Sequence, residues 1–184
     1  MNNLIKKHAK SFHWASFFLS KSIFNKCSSL YNFCRTLDDI VDDDKKLDIK
    51  KENFLKFKNE FIDRDNNNPI IKEMWSIIDE ERISKQVVMD LFDGVQTDLE
   101  EKVKINSKKE LLIYSYRVAG TVGLMMSKIL KVNNKEALKG AIDLGIAMQF
   151  TNIARDVCED KARNRQYVKH DFFSITEIIN ESQI

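Results

Sequence analysis

The sequence predicts an all-α protein, and three observations point to that fold class. The 184 residues include only five Gly and one Pro, too few for the many turns of a β-sandwich. Hydrophobic residues make up 43% of the chain, which is enough to build a core. They recur at helical spacing along most of the sequence. The length fits a single domain, so residues 1–184 are treated as one unit.

Charge and cysteine content narrow the function classes. The 30 Lys and Arg residues nearly balance the 28 Asp and Glu residues, and a net charge of +2 gives no reason to expect a nucleic-acid partner. Cys27, Cys34 and Cys158 form neither a CxxC pair nor a zinc-binding pattern, which indicates free thiols in a cytoplasmic protein. No apolar run is long enough for a transmembrane helix.

Predicted helices cover most of the chain and are joined by short loops. Their ranges are 8–20, 22–43, 46–64, 70–80, 84–100, 108–131 and 135–160. The run Asn66-Asn67-Asn68-Pro69 predicts a loop, because Asn favours turns and the residue before Pro leaves the helical region. Capping boxes at Ser107–Glu110 and Ser174–Glu177 predict two helix starts. The second lies so close to residue 184 that we expect the sequence to stop inside an element.

An acidic stripe is predicted on the helix 22–43. Its members follow one another at spacings of 4, 3 and 4: Tyr31, Arg35, Asp38 and Asp42. A separate apolar face consists of Leu30, Phe33, Cys34, Leu37 and Val41. Carboxylates one helical turn apart repel each other, so an arginine or a metal ion is expected to compensate them. The plainer alternative is a solvated acidic helix end at 42–44.

A second stripe is predicted on the helix 135–160. Its members follow at spacings of 3, 4 and 4: Gln149, Asn152, Asp156 and Asp160. The predicted apolar face beside it consists of Ala147, Phe150, Thr151, Ala154 and Cys158. Neither stripe contains Lys, whereas the polar face at 50–58 is rich in it. Carboxylate and amide oxygens are ligands that Mg²⁺ prefers, so two facing stripes would hold Mg²⁺ around a diphosphate.

A third segment places two glycines inside an apolar helical pattern. Gly120 and Gly123 each cost about 1 kcal/mol relative to Ala in a helix. Close helix packing is the favoured explanation, and a kink or room for a chain-like ligand is the alternative. Tyr114, Val118 and Val122 share one face and are candidates to line a pocket.

In this order, the three segments resemble the phytoene/squalene synthase family of trans-isoprenoid synthases. The resemblance runs from Lys10 to Tyr167 and leans toward the phytoene synthases. It rests on Cys34-Arg-Thr-Leu-Asp38-Asp-Ile-Val-Asp42, on Tyr116-Arg-Val-Ala-Gly-Thr-Val-Gly123, and on Gln149-Phe-Thr-Asn152-Ile-Ala-Arg155-Asp156-x-x-Glu159-Asp160.

The resemblance implies a helical bundle around a central cavity and the head-to-head joining of two prenyl diphosphates. Two geranylgeranyl diphosphates would give phytoene through a cyclopropyl diphosphate, with Mg²⁺ or alternatively Mn²⁺. Farnesyl diphosphate would give dehydrosqualene, or squalene if NADPH supplies hydride. The implied catalytic residues are Asp38, Asp42, Asp156, Asp160 and Tyr114. The implied substrate-binding residues are Ser11, Tyr31, Arg35, Val118, Val122, Gln149, Asn152, Arg155 and Tyr167. The implied metal ligands are Asp38, Asp42, Asn152, Asp156 and Asp160.

Family members are longer, and the resemblance implies that their C-terminal third is absent here. We expect a fragment, a protein completed by an oligomer or a second polypeptide, or an inactive short form. A non-catalytic helical assembly protein is the rival hypothesis, and the two intact stripes favour an enzyme over it. The apolar prenyl chains of the implied substrates favour peripheral contact of the protein with the inner face of a membrane. Candidate residues for setting substrate length are Phe12, Phe17, Phe18 and Phe150.

Overall fold

The computed structural model describes residues 18–167, and within them the all-α prediction is confirmed. The helices are α1 (Lys21–Asp42), α2 (Leu47–Ile62), α3 (Pro69–Glu81), α4 (Lys85–Thr97), α5 (Lys108–Ser115), α6 (Thr121–Ile129) and α7 (Lys135–Ala162). A π-helical turn, Tyr116–Gly120, joins α5 to α6. Ser11, most of the predicted helix 8–20 and the predicted capping box at 174–177 lie outside the described residues.

Side-chain caps fix where several helices begin. The Asn68 side chain accepts hydrogen bonds from the backbone amides of Ile70 and Ile71, and Pro69 is the first helical residue of α3. The Ser107 hydroxyl accepts from the amide of Glu110, as the capping box predicts. The reciprocal bond differs, because the Glu110 carboxylate accepts from the amide of Asn106 instead.

The main core packs α1 against the helices α2, α3, α4 and α6. The predicted apolar face of α1 is buried at Leu30, Phe33, Leu37 and Val41. Phe33 meets Phe92 of α4 edge to face, with ring centroids 5.8 Å apart. This burial fixes the rotation of α1, so the stripe that carries Asp38 and Asp42 faces away from the core.

Helix α7 packs on α6 and on the π turn through close backbone contacts at glycines. A Cβ atom on Gly123 would lie 2.3 Å from the carbonyl oxygen of Ala141. A Cβ on Gly145 would lie 2.5 Å from the carbonyl oxygen of Ala119. The close-packing explanation is therefore confirmed for Gly123. The predicted continuous helix 108–131 is wrong in one respect, because the π turn interrupts its hydrogen-bond pattern.

A short parallel strand pairing, which the sequence did not predict, connects the segment after α4 to the segment after α7. Strand β1 (Val103–Lys104) follows α4, and strand β2 (Arg165–Gln166) follows α7. The amide of Ile105 also donates to the carbonyl oxygen of Gln166 at 3.1 Å. The pairing brings the residues after α7 against the end of α4.

The apolar face predicted for the helix 135–160 is only partly correct. Phe150 is buried, together with Ile153 and Gly145. Thr151 and Cys158, which the prediction placed on the same face, are exposed. The reason is that this part of α7 is covered only where Phe150 and Ile153 pack in a small apolar cluster with residues such as Val103 and Leu111, and that contact does not reach Thr151 or Cys158.

Candidate active site

A cavity of about 750 Å³ lies between α1, α4, α5, the π turn, α6 and α7. Ten of the predicted site residues line it: Asp38, Asp42, Tyr114, Val118, Val122, Gln149, Asn152, Asp156, Asp160 and Tyr167. The two predicted stripes therefore face the same space. Burial of the opposite face of α1 and the glycine contacts of α7 produce this arrangement.

The cavity changes from apolar to acidic along α7. Ala141, Leu144 and Met148 line the part beside the first half of the helix. Asp156 and Asp160 line the part beside its last turns. Ala141 and Asp160 are about 28 Å apart along the helix axis, at 1.5 Å per residue. The cavity thus suits an elongated ligand with an apolar chain and an anionic head held by cations.

On α1, the two predicted aspartates have different surroundings. Partial removal from water, and then the negative charge of Asp42, raise the pKa of Asp38 to about 6. Asp42 accepts a hydrogen bond from Arg165 at 3.0 Å and forms an ion pair with Arg163 at 3.1 Å. The compensation expected for the first stripe is therefore supplied at Asp42 by arginines that follow α7.

On α7, a hydrogen bond from Arg155 lowers the pKa of Asp156. The Nε and Nη2 atoms of Arg155 donate to the two oxygens of this carboxylate, at 2.7 and 2.6 Å. Asp160 is half-buried, and removal from water raises its pKa. The cavity is thus lined both by carboxyl groups whose pKa is raised, Asp38 and Asp160, and by one whose pKa is lowered, Asp156.

A tyrosine pair and an unpredicted aspartate form a hydrogen-bonded group in the cavity wall. The rings of Tyr114 and Tyr167 stack with centroids 4.9 Å apart. Both hydroxyls donate to Asp98, at 3.0 Å from Tyr114 and 2.5 Å from Tyr167. Asp98 is the C-cap of α4, where β1 and β2 bring Tyr167 to it.

Sequence reasoning missed Asp98, Arg163 and Arg165. Asp98 lies at a helix end outside any stripe, so periodicity gives no signal for it. Arg163 and Arg165 stand just beyond the second stripe, and that position was an available signal. Carboxylates on two facing helices repel one another, so positively charged side chains are expected beside them when no metal ion is bound.

Three predicted binding residues within the described range do not line the cavity: Tyr31, Arg35 and Arg155. Arg35 pairs with Asp39, one turn along α1, at 2.7 Å. The structure also revises the residues predicted to set substrate length. Phe18 is 92% exposed and Phe150 packs in the core, while Phe12 and Phe17 lie outside the described residues. The apolar end of the cavity is instead lined by side chains such as Met126, Leu130 and Leu144.

The donor set fits a divalent cation that is shared with a ligand. The cavity presents carboxylates from two helices together with the amide oxygens of Asn152 and Gln149. Within residues 18–167, no three acidic, His or Cys side chains are grouped closely enough to hold a metal ion by themselves. Mg²⁺ commonly binds through one or two carboxylates plus substrate phosphates, which matches this spacing.

Among residues 18–167, no helix has the length and apolar character needed to cross a membrane.

Comparison with known proteins gives consistent results. The family model for squalene/phytoene synthase matches residues 5–176. A phytoene synthase of Rhodobacter capsulatus is 34% identical over 173 residues, which is 92% of this chain and 51% of the relative. A phytoene synthase of Cereibacter sphaeroides is 31% identical over 180 residues, or 92% of this chain and 50% of the relative. The chain therefore spans about half the length of these curated relatives.

Solved structures resemble the fold. A dehydrosqualene synthase in complex with ligand superposes with a TM-score of 0.71 at 31% identity, covering 91% of this chain and 59% of the other. A squalene synthase from Alicyclobacillus acidocaldarius gives a TM-score of 0.72 at 19% identity, covering 97% of this chain and 70% of the other. The second likeness bears on the fold alone.

Proposed function

Because the chain belongs to the squalene/phytoene synthase family, we propose that the protein joins two prenyl diphosphates head to head and releases diphosphate. One observation carries the proposal: a single elongated cavity is acidic at one end and apolar at the other. A prenyl diphosphate has the same division, with an anionic head and an apolar chain. The acidic end requires a cation between protein and diphosphate, since carboxylates alone repel the substrate.

The residues of the acidic end hold the metal and the diphosphate in this proposal. Asp38 and Asp42 approach from α1, and Asn152, Asp156 and Asp160 approach from α7. Mg²⁺ held by these residues, or Mn²⁺ as the alternative, would neutralise charge on the departing diphosphate. Arg163 and Arg165 supply further positive charge next to Asp42.

The apolar end holds the prenyl chains, which displace water from its walls when they bind. Val118 and Val122, from the π turn and α6, form part of this wall. Excluding water protects a carbocation from being quenched before the second substrate attacks it. The double bond of the second substrate attacks the cation left by the first diphosphate, and loss of a proton gives the proposed cyclopropyl diphosphate. Loss of the second diphosphate, rearrangement and loss of a second proton then give the C1–C1′-linked hydrocarbon.

We propose geranylgeranyl diphosphate as substrate and phytoene as product. Support comes from the two bacterial relatives named above, which are both phytoene synthases. The second candidate is the condensation of farnesyl diphosphate to dehydrosqualene, or to squalene with NADPH. It is favoured by one observation, the 31% identity to a solved dehydrosqualene synthase.

The test is to incubate the protein with each prenyl diphosphate and Mg²⁺, and to extract the hydrocarbons. Geranylgeranyl diphosphate should give phytoene without NADPH. Asp38→Asn and Asp156→Asn should each lower the rate at least about hundredfold, because each removes a charged ligand used in the transition state. Removing the metal with EDTA should abolish the reaction.

Asp143→Asn is the matched control, because Asp143 is an exposed aspartate on α7 that does not line the cavity. Its rate should equal that of the wild type. Product from farnesyl diphosphate alone would transfer the assignment to the second candidate. Absence of any product, together with binding of diphosphate that does not depend on Mg²⁺, would contradict the proposal and favour a non-catalytic helical protein.

A further inference from the structure

Among residues 18–167, Asp98 is the one carboxylate in the cavity wall that neither predicted stripe contains. It accepts from two tyrosine hydroxyls at once, Tyr114 on α5 and Tyr167 after β2. Both rings are almost fully buried, so their hydroxyls must find partners inside the protein. Their positions in the wall therefore depend on a residue from a third element.

The hydrogen-bond direction has a chemical consequence. A phenol has one proton to donate, and a carboxylate can only accept. With their protons committed to Asp98, Tyr114 and Tyr167 present only oxygen lone pairs to a ligand. Lone pairs attract positive charge and repel the oxygens of a diphosphate.

Arg165 connects this group to the first stripe. Its side chain is 12% exposed, and it donates to Asp42 at 3.0 Å. Burial raises the pKa of Asp98 to about 6, and the positive charge of Arg165 opposes that rise and favours the ionised carboxylate. The group thus lies directly beside the residues proposed to hold the diphosphate.

We propose that Asp98 is a positioning residue for the prenyl-transfer reaction. It holds the hydroxyls of Tyr114 and Tyr167 so that their oxygens act as acceptors, which favour a developing carbocation over diphosphate. The inference rests on the proposed function. Positive charge develops on the substrate only after ionisation, so the contribution of Asp98 belongs to the transition state. Substrate binding depends on the aspartate stripes and is largely independent of it.

The first test separates kcat from KM. Asp98→Asn keeps the shape of the side chain and removes its charge, so kcat should fall at least about tenfold with KM little changed. In a Tyr114→Phe, Tyr167→Phe background, the same change should have much less effect, because the groups that Asp98 positions are gone. Losses that multiply independently, or a change in KM alone, would overturn the inference.

The second test needs no turnover. Burial, and then the charge of Asp98, raise the pKa of both Tyr114 and Tyr167. An absorbance titration of tyrosinate should therefore show that Asp98→Asn lets two tyrosines ionise at lower pH than in the wild type. An unchanged titration would overturn the inference about Asp98 whether or not the wild type makes product. Absence of product from the wild type would instead contradict the proposed function.

Asp90→Asn is the matched control. Asp90 lies on the same helix, accepts from the hydroxyl of Tyr116 at 3.2 Å, and does not line the cavity. This variant should alter the titration of one other tyrosine and leave kcat unchanged. Unfolding curves of all variants should be measured, so that a loss of fold can be told apart from a loss of positioning.

Discussion

At the residue scale, Glu81 is a buried charge whose partners come from α1 and from the turn that follows α6. Its side chain is 2% exposed and accepts from Lys26 of α1 at 2.5 Å and from Lys131, which follows α6. Burial alone raises the pKa of Glu81, but the hydrogen bonds from Lys131 and Lys26 outweigh burial and lower it. The ion pairs therefore join the end of α3 to α1 and α6 only while Glu81 is ionised.

Glu81→Gln should lower the free energy of unfolding by about 2 kcal/mol near neutral pH, because it removes two charge-assisted hydrogen bonds and leaves Lys26 with only its exposed partner Glu80. A lowered carboxyl pKa adds stability above its usual value of 4.5, and this stability is lost as pH falls through the folded pKa. The wild type should thus lose its advantage over Glu81→Gln in acid. Denaturant unfolding of both proteins from neutral to acidic pH measures this.

Glu80→Gln is the control for that prediction. Glu80 also pairs with Lys26, at 2.6 Å, but its side chain is 54% exposed. Exposed ion pairs contribute little, so this variant should be nearly as stable as the wild type. Equal losses from the two variants would contradict the role given to Glu81.

Residue-level prediction from sequence succeeded where helical periodicity alone decides which side chains share a face. Spacing of three and four residues was enough to predict that Asp156 and Asp160 share a stripe. The same reasoning could not find Asp98, because its partners are 16 and 69 residues away along the chain. Arg165 meets Asp42 across 123 residues, a contact that depends on the β pairing.

At the element scale, the packing of α7 on the π turn depends on the absence of a side chain at Gly145. Gly145→Ala places a methyl group 2.5 Å from the carbonyl oxygen of Ala119, so the two elements must separate. We expect a loss of roughly 1–3 kcal/mol, the usual cost of overpacking. Thermal unfolding of the variant measures it.

Gly140→Ala is the matched control on the same helix. A Cβ there has no neighbouring atom within 4 Å. Alanine has a higher helix propensity than glycine, so this variant should gain up to about 1 kcal/mol. Similar effects of the two substitutions would mean that helix propensity, rather than contact, explains the result.

The helices themselves were predictable because their caps and apolar faces are local signals, as Asn68, Pro69 and Ser107 illustrate. The π turn was not, because its apolar pattern is the same as that of an α-helix. The β pairing was not either, since two residues per strand are too few to form a pattern. Both the π turn and the strand pairing contribute residues to the cavity wall. The sequence therefore predicted the helices better than it predicted the contacts between them at the site.

At the scale of the whole molecule, the cavity has an apolar wall that is open to solvent. Leu144 is 62% exposed and Met148 is 60% exposed, one turn apart on α7. Both also line the cavity. Contiguous exposed apolar surface favours association, either with another chain or with itself.

We therefore predict that the 184-residue chain self-associates and that Leu144→Gln with Met148→Gln reduces this association. Sedimentation velocity over a range of concentrations measures the change. Leu55→Gln is the control, because Leu55 is 52% exposed on α2 and lies outside this cavity. If surface hydrophobicity in general caused association, the control would act as strongly as a cavity substitution does. If the open cavity wall causes it, only the α7 double variant shifts toward monomer, and the interface then includes the cavity itself.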